Sequence, residues 1–407
     1  MDNNVERIAD YFKAGEKRKC VATGVEIEHF VVGKDGNSMS YGQMAAFMEK
    51  IKKQTDKAYF EDGHLLGFYN EDYSITLEPA SQLEISIAPK EKIEEIEQVY
   101  QSFRREADKI LSEEGFFLVN EGYHPYKKAT ELELIPKKRY EYMNCYFEQS
   151  GKLGKNMMRA TASTQVSIDY ESEQDFVEKY RLACILSPVL ALLTDNTLVF
   201  EGEKVKKHMM RTAIWLDTDS VRCGIFPGTF SEDFGYEKYA QYLYENPPIL
   251  IMNEKGEAVY TGQKKLEEIY GKRAMTKKEI EHAISMFFPD VRLKNYIEIR
   301  MADSMEIASV LAYTALIKAC FYQSSIRKQL NAYLGAVTEK EIDQAKLSLM
   351  ENGYDGQVYG KSVREVLGKL VELLEKYGDM ETKQYVIGST LFEKTTKAGR
   401  NEAENGK

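Results

Sequence analysis

Glutamate recurs at alternate positions in short segments that read as β-strands, and that spacing puts the acids on one face. In Gly24-Val25-Glu26-Ile27-Glu28-His29-Phe30-Val31-Val32, Glu26 and Glu28 point one way, and Val25, Ile27, His29 and Val31 the other. In Leu83-Glu84-Ile85-Ser86-Ile87, Leu83 and the isoleucines form the apolar face. Gln82, Glu84 and Ser86 form the polar one, with Glu78 just upstream. The segment 159–169 presents Thr161, Ser163, Gln165 and Ser167 together, and in Tyr296-Ile297-Glu298-Ile299-Arg300 the side chains of Glu298 and Arg300 share a face. An antiparallel sheet often has one wet face, and each strand taken alone reads that way. Taken together they do not. Glutamate is depleted in strands, and like charges side by side on a sheet are destabilising. Converging carboxylates become tolerable when hard divalent cations sit between them, and Mg²⁺ bridges such oxygens to phosphates. The residues therefore predict a sheet whose concave face binds Mg²⁺ and a nucleotide.

Cationic side chains that could meet anions flank these strands. Arg139 follows Pro136-Lys137-Lys138, and Arg159 follows Met157-Met158. Arg211 and Arg222 bracket a segment that carries Trp215, the only tryptophan. Arginine's planar fork suits carboxylate and phosphate groups, although for any one arginine a surface or ion-paired position is the commoner case. A lone tryptophan is more often core packing than a substrate contact. No Gly-x-Gly-x-x-Gly follows a strand. Gly360-Lys361-Ser362 looks like part of a phosphate loop, but Asp355 holds the earlier glycine position and the segment lies between expected helices. There is no His-Glu-x-x-His and no Gly-x-Ser-x-Gly. His29, on the apolar face, is expected to be a satisfied core histidine, and Cys223 an inert thiol.

The elements that must position these residues are legible as period and punctuation. Ile93, Ile96, Val99, Tyr100, Phe103, Ala107 and Ile110 recur at helical spacing, with Gly115 as a stop. Phe176, Val177, Tyr180 and the apolar run from Ala183 to Leu193 predict a buried helix bent at Pro188. Asp303-Ser304-Met305-Glu306 reads as a capping box opening one long helix to about Leu334, and helices are expected near 339–351 and 363–377. Strands grouped ahead of helices favour an α+β fold. We expect one domain over residues 1–392, sheet-rich at 20–305 and helical at 303–380, and a flexible tail at 393–407. With 55 Lys plus Arg against 65 Asp plus Glu, the net charge of −10 argues against a nucleic-acid partner. Five scattered cysteines argue against structural zinc and for a reduced cytoplasm. The polar N-terminus does not read as a signal peptide, and no run is apolar enough for a membrane partner.

In this order, several segments resemble the glutamate–cysteine ligase family of the plant and proteobacterial type. They are Gly24-Val25-Glu26-Ile27-Glu28, the stretch 77–86, Pro136-Lys137-Lys138-Arg139-Tyr140, the stretch 157–169, Ile214-Trp215-Leu216-Asp217-Thr218-Asp219, the stretch 234–239 and the stretch 288–300. The resemblance implies a glutamine-synthetase-like catalytic fold, an antiparallel sheet funnel with helices outside. It implies ATP-dependent ligation of the γ-carboxylate of L-glutamate to the amine of L-cysteine through a γ-glutamyl phosphate, the first step of glutathione biosynthesis. ATP would be co-substrate, with two or more Mg²⁺. By motif, Glu26, Glu28, Glu84 and Glu298 look like Mg²⁺ ligands, joined by Glu78 and Gln165. Arg300 resembles the arginine that steadies the transferring phosphoryl group. Arg139, Arg159, Arg211, Trp215 and Arg222 are the substrate-binding candidates. The sequence departs from the family pattern at Met301-Ala302-Asp303-Ser304 and at Thr161-Ala162-Ser163. Two alternatives stay open: a γ-glutamyl ligase with another amine acceptor, and a catalytically silent nucleotide- or amino-acid-binding relative.

Overall fold

The computed structural model describes residues 3–253 and 255–392, so the expected tail at 393–407 lies outside the described residues. Its centre is a nine-stranded sheet. The strands are β1 (Thr23–Gly33), β2 (Lys57–Glu61), β3 (His64–Tyr69), β4 (Tyr73–Leu77), β5 (Leu83–Lys90), β6 (Phe116–Val119), β7 (Ser163–Ile168), β8 (Val291–Leu293) and β9 (Ile297–Asp303). Their spatial order is β8-β9-β7-β1-β5-β4-β3-β2, with β6 paired to the far half of β1. Every pairing in this sheet is antiparallel.

The register explains how acids distant in sequence share one face. Ile27 pairs with Ile85 on one side and Thr164 on the other, and Val25 with Ile87 and Val166. Because side chains alternate, the same register sets Glu28 opposite Glu84 and Glu26 opposite both Ser86 and Gln165. One contiguous apolar core lies behind the other face and includes Val25, Ile27, Ile85, Val166 and Ile299. Helix α1 (Ile93–Glu113), the helical run expected from the sequence, packs there against β5 and β6. His29 belongs to this core. Its Nδ1 lies 3.1 Å from the Leu83 carbonyl and its Nε2 2.9 Å from the Tyr100 hydroxyl, and burial pushes its pKa down to about 3.

The polar face is roofed by α2 (Lys138–Ser150), α3 (Gly154–Ala160) and, later in the chain, α5 (Met210–Leu216). Between α3 and α5 runs α4 (Glu173–Leu193), a buried helix that is unbroken through Pro188 and packs against β9. Arg159 and Ala160, read from the sequence as the start of a strand, close α3 instead. The Thr161 hydroxyl donates to the Met157 carbonyl at 2.7 Å, and pairing in β7 begins only at Ser163.

The long helix expected from residue 303 is two helices, α6 (Ile307–Tyr322) and α7 (Ser324–Leu334), separated at Gln323. The expected capping box does not form, because its first residues serve the sheet. The Asp303 carboxylate accepts from the Asn196 amide at 2.8 Å and the Thr197 hydroxyl at 3.0 Å, and the Ser304 hydroxyl donates to the Glu28 carbonyl at 2.6 Å. The later helices form at Glu339–Asn352 and Val363–Tyr377.

A side chain at Gly122 would meet the Asp303 carboxylate directly. Gly122→Ala should therefore overpack the end of β9 and destabilise the protein by about 1–3 kcal/mol, measured as a lower urea midpoint at unchanged m.

Candidate active site

Between the polar sheet face and its helical roof lies a cavity of about 300 Å³. β1 contributes Glu26 and Glu28, β5 contributes Glu84, and the turn before β5 contributes Glu78. That turn is well fixed. Glu78 and Gln82 are joined by a backbone bond of 2.9 Å, Ser81 takes a left-handed φ of 66°, and the Gln82 side chain donates to the Thr161 carbonyl at 3.0 Å. The Glu28 carboxylate accepts from the Ser163 amide at 2.7 Å and the Ser163 hydroxyl at 2.8 Å. Glu84 accepts from Ser86 at 2.8 Å and Thr76 at 3.0 Å.

These acids disturb one another. Burial, then the charges of Glu84 and Glu298, push Glu26 up to about 7. Burial and the charge of Glu78 push Glu84 up to about 7, and burial and the charge of Glu28 do the same to Glu78. Burial raises Glu28 as well, against the pull of Arg211 and the Ser163 bonds. The same cavity carries five cationic side chains, Arg292 and Arg300 from the sheet and Lys137, Arg139 and Arg211 from its helical roof. An all-oxygen donor set under mutual repulsion fits a hard divalent cation, which removes the repulsion by binding. Glu26, Glu28, Glu78 and Glu84 are the residues that fit it. Among the described residues no three acidic, histidine or cysteine side chains are already gathered at metal-binding separation, so closing around an ion requires side-chain movement.

The sequence candidates divide. Gln165 lies in the cavity wall and accepts from Arg300 Nη1 at 2.6 Å. Arg139 reaches Ser285 at 3.1 and 3.2 Å. Arg211 is only 5 % exposed, sits 5.7 Å above the Trp215 ring, and has Nε and Nη1 without hydrogen-bond partners. A buried guanidinium in that state is suited to an arriving oxyanion. Trp215 lines the cavity and stacks on Phe288.

Three candidates do not join the lining. Arg159 points into the protein, donating to the Leu132 carbonyl at 3.0 Å and to Asn144 at 2.7 Å. Arg222 is buried between Asp219, Tyr146 and the Pro247 carbonyl. Both are bound to the scaffold through their terminal nitrogens and lie outside the cavity lining, although the buried Nε of each has no partner. Glu298 is fully buried behind the cavity wall, bound to Arg292, Lys294 and Arg300 at 2.6–2.7 Å. Burial alone would raise its pKa, but those three cations hold it well below the usual carboxylate range. Its charge is already matched by three cations, so in this structure it anchors them rather than adding a fifth open acid. Arg292 and Lys137 were missed as site residues. Arg292 was findable, because in Val291-Arg292-Leu293 the alternation puts it on the polar face opposite Glu298.

A model of glutamate–cysteine ligase family 2 matches residues 22–384, which takes in the whole sheet and the roof of the cavity. The chain belongs to that family. It is a ligase. It is 27 % identical over 354 residues to the chloroplastic glutamate–cysteine ligase B of Oryza sativa subsp. japonica, covering 84 % of this chain and 71 % of that one. It is 30 % identical over 309 residues to the chloroplastic glutamate–cysteine ligase of Arabidopsis thaliana, covering 73 % and 59 %. Among solved structures it resembles the glutamate–cysteine ligase of Francisella tularensis in complex with AMP, at 13 % identity and a TM-score of 0.57, over 95 % of this chain and 86 % of that one. The last likeness is one of fold, and with the antiparallel sheet it places the chain in the expected α+β class.

Two predictions follow from the charges. The acids bind protons more tightly folded than unfolded, so their contribution to stability is present at low pH and lost as pH rises through about 7. The metal-free protein should melt at a lower temperature at pH 8 than at pH 6. Added Mg²⁺ should raise the melting temperature more at pH 8, as scanning calorimetry would show. Among the arginines, Arg211→Ala should lower kcat/KM by roughly 10²-fold with little change in melting temperature, and Arg159→Ala the reverse. Steady-state kinetics beside thermal melts would separate them.

Proposed function

We propose that this family member joins the γ-carboxylate of L-glutamate to the amine of L-cysteine at the expense of ATP, the first step of glutathione synthesis. The observation that carries the reading is the cavity itself: four repelling carboxylates lined up with five cationic side chains, one of which, Arg211, keeps buried donors unmet. Carboxylate and amine do not condense unaided in water. A γ-carboxylate oxygen attacks the γ-phosphorus of ATP, the bond to the bridging oxygen breaks, and ADP leaves. The amine then attacks the acyl carbon of the γ-glutamyl phosphate and phosphate departs.

Such chemistry is mainly positioning and charge neutralisation, and no covalent enzyme nucleophile is needed. Magnesium held by Glu26, Glu28, Glu78 and Glu84 would supply neutralisation of the phosphate oxygens. Arg300, fixed by Glu298 and Gln165, presents its guanidinium where charge builds on the transferring phosphoryl group. Arg211 and Arg139 take substrate carboxylate or phosphate oxygens, and Trp215 with Phe288 keeps water from that wall. The reading also carries residues 1–392 acting as one domain and a reducing cytoplasmic setting, supported by the core shared among the described residues and by five free cysteines.

Phosphate release with ATP, glutamate and a panel of amines tests the function. Cysteine should be the best acceptor, and a panel in which it is no better than alanine or glycine ends the assignment to cysteine. Glu84→Gln should abolish turnover. It should also raise the melting temperature of the metal-free protein at pH 8, because it removes a repelling charge without touching the core.

A further inference from the structure

The sheet ends at the hairpin of β2 and β3, closed by Asp62 and Gly63, both with left-handed φ, at 50° and 80°. β3 buries Leu65, Leu66 and Phe68 in the core, but β2 is the outer edge, with four of its five residues exposed. Two of its side chains nevertheless reach the basic segment that lines the active site. Helix α2 begins there, and its N-cap residue, Lys137, provides no capping side chain. The first amides of a helix need acceptors from elsewhere. Glu61 supplies one: its Oε1 accepts from the Lys138 amide at 3.2 Å, across 77 residues of sequence. Its Oε2 accepts from the Tyr59 hydroxyl at 3.1 Å.

The Tyr59 ring in turn lies 6.0 Å from the Lys137 ammonium, which also sits 4.5 Å from the Tyr140 ring. Lys137 is thus held by two rings, in contacts that leave its N–H groups free to donate. Its side chain lines the cavity near the four carboxylates. A bulge between Tyr59 and Phe60 breaks the regular register of the hairpin where this contact is made.

We propose that Glu61 is a positioning residue for substrate recognition. By capping α2 and fixing Tyr59, it holds the Lys137 ammonium where it binds an oxyanion of the substrates. That oxyanion is either a phosphate of the nucleotide or a carboxylate of the acyl donor. The inference rests on the proposed ligase reading for the identity of these anions, and on the hairpin geometry alone for the role of Glu61. Gln can replace Glu here, since its carbonyl can accept from the Lys138 amide and its amide can donate to the Tyr59 oxygen, whereas Ala can do neither.

The test compares the wild type with Lys137→Ala, Glu61→Ala, Glu61→Gln and the double variant Lys137→Ala/Glu61→Ala. Lys137→Ala should raise the KM of one substrate, ATP or glutamate, roughly tenfold, and which one rises identifies the anion. Glu61→Ala should raise the KM of that same substrate roughly three- to fivefold with kcat nearly unchanged. Glu61→Gln should restore it, and the double variant should be no worse than Lys137→Ala alone. A second readout needs no turnover: the rate of acetylation of Lys137 by an amine-reactive reagent, followed by peptide mass spectrometry. It should rise severalfold in Glu61→Ala and not in Glu61→Gln. Unchanged Lys137 acetylation in Glu61→Ala, multiplicative kinetic effects in the double variant, or a KM rise for both substrates alike would each overturn the proposal. A wild type that releases no phosphate with ATP and glutamate would overturn the ligase reading, while the acetylation rates still decide the role of Glu61.

Discussion

Four carboxylates share one buried space, and their repulsion is the constraint that orders the rest of the structure. Burial makes each charge harder to hold, and the neighbours add to it, so Glu26, Glu78 and Glu84 sit near neutrality between protonated and charged forms. A fold evolving for stability alone would place apolar or mixed polar groups there. The sheet register prevents any escape: with Ile27 committed to the core between Ile85 and Thr164, Glu26 and Glu28 have only the cavity to face. The apolar face thereby enforces the electrostatic conflict on the other. A strand slip by one residue would relieve the acids only by exposing the isoleucines.

The cations divide according to where their terminal nitrogens go. Arg159 and Arg222 turn theirs to carbonyls and side chains of the scaffold outside the cavity, and Glu298 gathers Arg292, Lys294 and Arg300 into one fixed cluster. Arg211 lines the cavity and keeps both Nε and a terminal nitrogen, Nη1, unmet in a buried place. This local gathering of cations would let an acidic chain, with net charge −10, take the anionic substrates proposed for it.

Much of this was legible in the sequence. Alternation identified β1, β5, β7 and β9 and the polar side of each, because a period of two survives in the sequence whatever the tertiary context. The family resemblance rested on the order of these segments along the chain, and the family is the one the chain belongs to. The roles of Arg159, Arg222 and Glu298 were not legible, since residue type cannot tell which donors the scaffold consumes. Asp303 illustrates the same limit. Its spacing to Glu306 is that of a helix cap, but two donors at Asn196 and Thr197, more than a hundred residues away, claim its carboxylate first. The β2–β3 hairpin did carry a local signal in Asp62-Gly63, but its link to α2 is made only in three dimensions.

Strand β9 is fastened at both of its ends. Near its start Glu298 is tied to three cations, and at its finish Asp303 is tied to the Asn196 amide and the Thr197 hydroxyl. Arg300 lies on the span between these two moorings. A group suspended in this way has its orientation settled during folding, so in the proposed reaction little rearrangement would be left for the moment when negative charge develops beside it. That work would then be done once, in the assembly of the protein, and not at each turnover.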